Sequence, residues 1–103
     1  MTREIRMGDI PVPMRATAAL PLLYRAETGR DILRDLEALK DTGVSSGILE
    51  DLAYVMAKHA DPSIPEKLDW LAQFPPLAVY EAAEELIGLW MDNTATTEQP
   101  KKK

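Results

Sequence analysis

One triplet in this chain spells a known catalytic motif. Asp41-Thr42-Gly43 has the residues with which retroviral-type aspartic proteases hold two carboxylates around a shared proton, across a dimer of β-sheet subunits. That chemistry needs the triplet in a turn next to a strand. Here it follows a segment with helical periodicity, so we interpret it as the end of a helix and the beginning of a turn.

The other candidates for chemistry lack partners. His59 is the only histidine and cysteine is absent, which leaves no side-chain set for a metal cluster or a serine–histidine relay. Its place in the last turn of a predicted helix favours a partly cationic imidazole. Asp31 and Asp35 have the spacing of a solvated helix surface, and the five glycines follow no phosphate-loop pattern. We therefore predict a non-enzymatic protein with no catalytic residue, cofactor or metal.

The composition of the chain limits the kinds of partner that it can bind. The chain has 103 residues, enough for one domain, and 46% of them are hydrophobic, enough to form a core. Its net charge of −5 argues against binding to nucleic acid, whose phosphates would repel it. No apolar stretch approaches the roughly 20 residues that cross a bilayer, and the lack of cysteine fits a reducing compartment. These features predict a soluble, cytoplasmic protein with no membrane partner.

The N-terminal segment predicts a small β-hairpin. Apolar residues alternate on both sides of Gly8-Asp9, a turn pair. Pro11 and Pro13 cannot donate to a ladder, so the second arm is expected to be an edge strand.

The remaining chain predicts about five helices, over 17–28, 32–41, 46–60, 66–74 and 77–92. Thr17 is the predicted cap of the first helix, Gly29 its end and Asp31 the beginning of the second, while Ser46 caps the third. The third helix is apolar over a wide arc and is expected at the centre of the fold. The fold class is thus mainly α, with one helical domain over 1–92 and a polar, disordered tail over 93–103.

Aromatic side chains are the most informative residues left. Tyr54, Phe74 and Trp90 lie on apolar stripes and are predicted to be core. Trp70 falls beside the stripe formed by Leu68, Leu71 and Phe74, and Tyr80 is also marginal, so both are candidate interface anchors.

Several short segments of the sequence resemble those of one protein family in their order and spacing. They are Ala16-Thr17-Ala18, Tyr24-Arg25, Gly29-Arg30-Asp31-Ile32, Tyr54-Val55-Met56-Ala57 and Trp70-Leu71-Ala72-Gln73-Phe74. The pattern resembles the tail assembly chaperones of long-tailed bacteriophages and prophages, particularly those of Gram-positive hosts. The family often has an aromatic residue before the glycine, where this chain has Thr28.

The resemblance implies a function. Such chaperones bind the long, apolar tape measure protein, keep it soluble and help the tail tube protein to polymerise around it, in the bacterial cytoplasm and not in the mature virion. The family has no catalytic residues to carry over. Tyr24 and Arg25, from one of the shared words, join Trp70 and Tyr80 as predicted partner contacts. A homo-oligomer is a further possibility.

Two alternative functions remain open, and so does one feature of the messenger RNA. The chain could be a small structural or connector component of a phage particle, or a generic helical adaptor in a bacterium. In many phages the chaperone gene is read in two frames, which gives a short form and a longer fused form. The codons of Lys101, Lys102 and Lys103 could supply the slippery run for such a programmed frameshift, or these lysines could be a solubilising tail or a cloning remnant.

Overall fold

The chain begins with the predicted β-hairpin. The computed structural model describes residues 2–42 and 46–98. Strands β1 (Thr2–Met7) and β2 (Ile10–Arg15) pair antiparallel, with Met7 opposite Ile10 next to the loop. Gly8 has φ 69° whereas Asp9 has no positive φ, the pattern of a type II′ turn. One face of the hairpin is buried, through Ile5, Met7, Val12 and Met14.

Helix α1 (Leu20–Thr28) begins later than predicted. Pro21 must lie in the first turn, because inside a helix its ring would clash with the preceding turn, and this sets the N-cap at Ala19. The predicted cap at Thr17 is therefore wrong. Its hydroxyl oxygen instead accepts a hydrogen bond from the Ala19 N–H at 3.2 Å, ahead of the helix.

The junction between the first two helices follows the prediction. Gly29 ends α1 in the left-handed conformation, with φ 76°, and its N–H bonds to the Arg25 carbonyl. Helix α2 (Ile32–Thr42) begins directly afterwards, and the Asp31 carboxylate accepts a hydrogen bond from the Leu33 N–H at 2.9 Å. Asp41 and Thr42 thus belong to a helix, while Gly43 and the rest of the predicted turn lie outside the described residues.

Helix α3 (Ser46–Ala60) is the central element. Every position from Leu49 to Ala57 except Glu50 is buried, as expected from its wide apolar arc. It packs against β2 on one side and α1 on another, and also contacts α4, α5 and α6. Burial of each large apolar side chain contributes about 1.5–3 kcal/mol, so this helix organises the core.

After α3, the described residues form three helices where the sequence predicts two. Helix α4 (Lys67–Leu71) is shorter than expected, and the single predicted helix over 77–92 is divided into α5 (Ala78–Glu81) and α6 (Ala83–Glu98). The division falls at Ala82, whose φ of −91° and ψ of 3° leave the α-helical region. Helix α6 also extends past Asp92 to Glu98, and the rest of the predicted tail, 99–103, lies outside the described residues.

Candidate functional site

An open apolar groove lies between α2 and α6. Its volume is about 690 Å³. The apolar lining combines side chains of α2, α3 and α6, and three charged residues on or beside α2 complete it. We call it the α2–α6 groove; its lining residues are Leu33, Leu36, Leu39, Leu49, Ile87, Trp90 and Met91, with Asp31, Arg34 and Glu37.

The groove presents apolar surface to solvent. Ile87, Trp90 and Met91 have the i, i+3, i+4 spacing that places side chains on one face of a helix, and Leu33 and Leu36 are three residues apart on the facing one. Leu33 is 63% exposed and Met91 54% exposed. Contiguous exposed apolar surface with charged residues at its margin is typical of an interaction site.

A network of charged side chains supports α2 from other elements. The Arg30 guanidinium donates from Nε to Asp35 Oδ2 at 2.9 Å and from Nη2 to Asp51 Oδ2 at 2.6 Å. Lys67 makes an ion pair with the other oxygen of Asp51. Tyr24 donates its hydroxyl to Asp35 Oδ2 at 2.6 Å. These five residues, which we call the Arg30 network, connect α1, α2, α3 and α4.

Asp51 is the member of the network whose charge is most costly to bury. It is 6% exposed, and a buried carboxylate is stable only when its charge is compensated. Arg30 and Lys67 supply that compensation from two sides. Hydrogen bonds to Asp51 and Asp35 raise the pKa of the Arg30 guanidinium above its ordinary value, so it remains cationic. Each carboxylate oxygen of Asp51 therefore has a cationic partner.

Tyr24 anchors the same network in the core. Its side chain is fully buried, and burial, followed by the hydrogen bond to Asp35, raises the pKa of its hydroxyl. The phenol therefore stays protonated and acts as a donor. The Arg30 guanidinium carbon also lies 5.9 Å from the centre of the Tyr24 ring, within cation–π range.

A second, smaller cleft of about 340 Å³ lies between α1 and the end of α3, and His59 lines it. The Thr17 hydroxyl oxygen is 2.7 Å from His59 Nε2. Burial, and next the charge of Arg15, lower the pKa of His59. The lowered pKa favours a neutral imidazole over the partly cationic one expected at the helix end, and a neutral ring can accept a hydrogen bond from the Thr17 hydroxyl at Nε2.

The four predicted partner contacts are divided between core and surface. Tyr24 is fully buried and Trp70 is 3% exposed. Trp70 packs between Tyr54 and Phe74, with ring centroids 5.5 and 5.0 Å away, so its position beside the helical stripe did not mean exposure. Arg25 is exposed and Tyr80 is 44% exposed.

None of those four residues lines the α2–α6 groove. The most exposed apolar residues of the groove are Leu33 and Met91, which the sequence analysis did not assign. Leu33 lies next to the buried Ile32, and Met91 follows Trp90. An apolar residue at the margin of a stripe was the only signal for them. The burial of Tyr54 and Trp90, by contrast, confirms their predicted core positions.

Compared with known proteins, the chain matches no family model, no curated protein and no solved structure. Within residues 2–42 and 46–98, no group of three or more His, Cys, Asp or Glu side chains is arranged to hold a metal ion. None of the helices in that same part of the chain is long and apolar enough to cross a membrane. The α2–α6 groove and the short sequence segments that resemble the phage chaperones are therefore the features that bear on function.

Proposed function

We propose that this protein is a non-enzymatic tail assembly chaperone of a long-tailed phage or prophage, which binds an apolar helical segment of the tape measure protein in the α2–α6 groove. The observation that carries the proposal is the groove itself. It offers apolar side chains from two facing helices in a chain with a net charge of −5.

The shape and chemistry of the groove support a helical client. An amphipathic helix is recognised by inserting its apolar face into a groove of this kind, through anchors at i, i+3 and i+4. Leu33 and Met91 are exposed enough to gain burial on binding. The acidic surface keeps loaded complexes apart by mutual repulsion, which is useful for a protein that carries an insoluble client.

The identity of the client comes from the sequence resemblance. The words around Tyr24-Arg25 and Gly29-Arg30-Asp31-Ile32 resemble phage tail assembly chaperones, whose client is the tape measure protein. Several copies along one long client would multiply a modest single-site affinity. The tail tube protein and a longer, frameshifted form of the chain are further partners under this proposal, and the bacterial cytoplasm is the place of action.

Co-expression tests the proposal. The tape measure protein of the same phage should move into the soluble fraction when this chain is co-expressed. The double variant Leu33→Glu/Met91→Glu should lose that effect, because two carboxylates would have to be desolvated in the groove. The matched control, which we call the Leu22 control, is Leu22→Glu/Leu77→Glu: it adds the same two carboxylates at leucines that are 58% and 59% exposed but lie outside the groove.

The outcomes of this experiment test the chaperone function and the binding site separately. No effect of the wild-type chain on tape measure solubility would contradict the chaperone proposal. Equal loss in the groove variant and the Leu22 control would contradict the groove as the binding site. The chaperone should also be absent from purified virions, whereas a structural component of the particle would be present in them.

A further inference from the structure

The two outer edges of the β-hairpin differ in their capacity to pair. In an antiparallel ladder, hydrogen-bonded and non-hydrogen-bonded pairs alternate, and the pair beside a two-residue turn is hydrogen-bonded. From Met7–Ile10, this alternation places Pro11 opposite Arg6 and Pro13 opposite Glu4 in non-hydrogen-bonded pairs. Their backbone nitrogens face outward, where proline has no donor, so the outer edge of β2 is blocked.

The outer edge of β1 contains no proline, so all of its backbone donors are present. The same alternation turns the backbone N–H and C=O groups of Thr2, Glu4 and Arg6 outward. In the described part of the chain, no backbone hydrogen bond joins these groups to another segment. All three side chains are exposed. One edge of the hairpin is therefore able to accept another strand.

We infer that this edge pairs with the same edge of a second copy of the chain, antiparallel and across a two-fold axis at Ile5. The result is a four-stranded sheet in the order β2-β1-β1-β2. Such an interface is isologous, so the strand must be complementary to itself.

The charges on β1 provide that self-complementarity in one register. Because the outward backbone groups belong to even-numbered residues, even positions must face even positions. With Ile5 at the axis, Glu4 of each copy faces Arg6 of the other, which gives two opposite-charge pairs. A shift of two residues in either direction places Glu4 opposite Glu4 or Arg6 opposite Arg6, and like charges directly opposite each other are unfavourable.

The same geometry limits the strength of the dimer. Two hydrogen-bonded pairs that exchange two bonds each supply about four backbone hydrogen bonds, and each contributes little net of solvation. Two chains of charge −5 also repel each other. The dimer is therefore weak and concentration-dependent, and the proposal is independent of the client that the groove takes.

Sedimentation velocity over micromolar to near-millimolar protein, at an ionic strength of about 0.15 M, tests the pairing. Glu4→Lys and Arg6→Glu should each weaken the dimer at least about tenfold, because each variant places like charges opposite one another twice. An equimolar mixture of the two should recover it as a heterodimer, since the introduced lysine then faces the introduced glutamate and the remaining Arg6 faces the remaining Glu4. Asp69→Lys is the matched control for Glu4→Lys: it makes the same charge change at an exposed position on α4 and should leave the dimer unchanged.

A backbone variant makes the test independent of charge. Glu4→Pro removes one outward N–H without touching the β1–β2 ladder, as Pro11 and Pro13 already do in β2. It should melt like the wild type and be monomeric. A wild-type chain that stays monomeric throughout the concentration range would overturn the proposal. So would a dimer that survives the charge variants, or a mixture that fails to recover it.

Discussion

Removal of Arg30 gives the most direct measure of what positions α2. Arg30→Ala deletes three charge-assisted hydrogen bonds: those to the carboxylates of Asp35 and Asp51, each of a type that contributes about 1.5–3 kcal/mol, and a longer one of 3.2 Å to the Tyr24 hydroxyl. The side chain is 45% exposed, so solvent screening reduces their combined value. Lys67 still compensates Asp51 and Tyr24 still bonds Asp35, so neither carboxylate is orphaned. We expect a loss of about 2 kcal/mol, less than the 3–5 kcal/mol of an uncompensated buried charge.

Urea unfolding measures this loss, with Lys58→Ala as the control. Lys58 is 48% exposed, nearly the same as Arg30, and lies at a similar distance from an aromatic ring, 5.7 Å from that of Tyr54. Its only ion pair in the described residues is a 3.9 Å contact with Glu27, so it should lose less than about 1 kcal/mol. The two variants thus differ mainly in their ion pairs.

A double-mutant cycle identifies the partner. Arg30→Ala combined with Asp51→Asn should lose at least about 1 kcal/mol less than the sum of the single losses, because both remove the same interaction. If Arg30→Ala lost no more stability than Lys58→Ala, or if the cycle were additive, the network would not hold α2 and our reasoning would be refuted.

Four further substitutions have expected outcomes. Trp90→Ala should cost about 3–5 kcal/mol, because the side chain is 8% exposed, and a variant that melts like the wild type would contradict its core assignment. The lowered pKa of His59 means that the unfolded chain binds its proton more tightly. The free energy of unfolding should therefore have its full value above a pH of about 6.5 and decrease as the pH falls below it. Urea unfolding at several pH values should show a smaller decrease for His59→Gln than for the wild type. Gly29→Ala should cost about 1–2 kcal/mol from its positive φ alone, whereas Gly8→Ala should cost more in the same assay, because its Cβ would lie 2.8 Å from Pro75; equal losses would contradict the contact.

Local signals made much of the fold predictable. Gly8-Asp9 and Gly29 define a turn and a helix end because few other residues adopt a positive φ, and Asp31 caps α2 through a hydrogen bond two residues away. The buried arc of α3 was visible in its composition alone. In each of these cases the residue and its structural partner are close in sequence, so the pattern carries the information.

Tertiary geometry accounts for what the sequence did not reveal. Ala82 has a high helix propensity, and nothing in its neighbours indicated that the backbone would leave the helical region there. Arg30 and Asp51 are 21 residues apart, and Asp51 and Lys67 are 16 apart, so no periodicity connects them. Trp70 packs against the nearby Phe74 and also against Tyr54, which is 16 residues earlier in the chain and belongs to α3.

The groove and the Arg30 network are two consequences of how α2 is held. Ile32 is the fully buried apolar residue of this helix, whereas Leu36 and Leu39 are half-buried and Leu33 is largely exposed. Apolar burial alone would therefore fix α2 weakly compared with α3. Ion pairs from Arg30 compensate for this through Asp35, at the beginning of α2, while the leucines remain available to the groove. A helix that contributed the same leucines to the core would need no such network, and it would leave no apolar wall for the client helix that we propose.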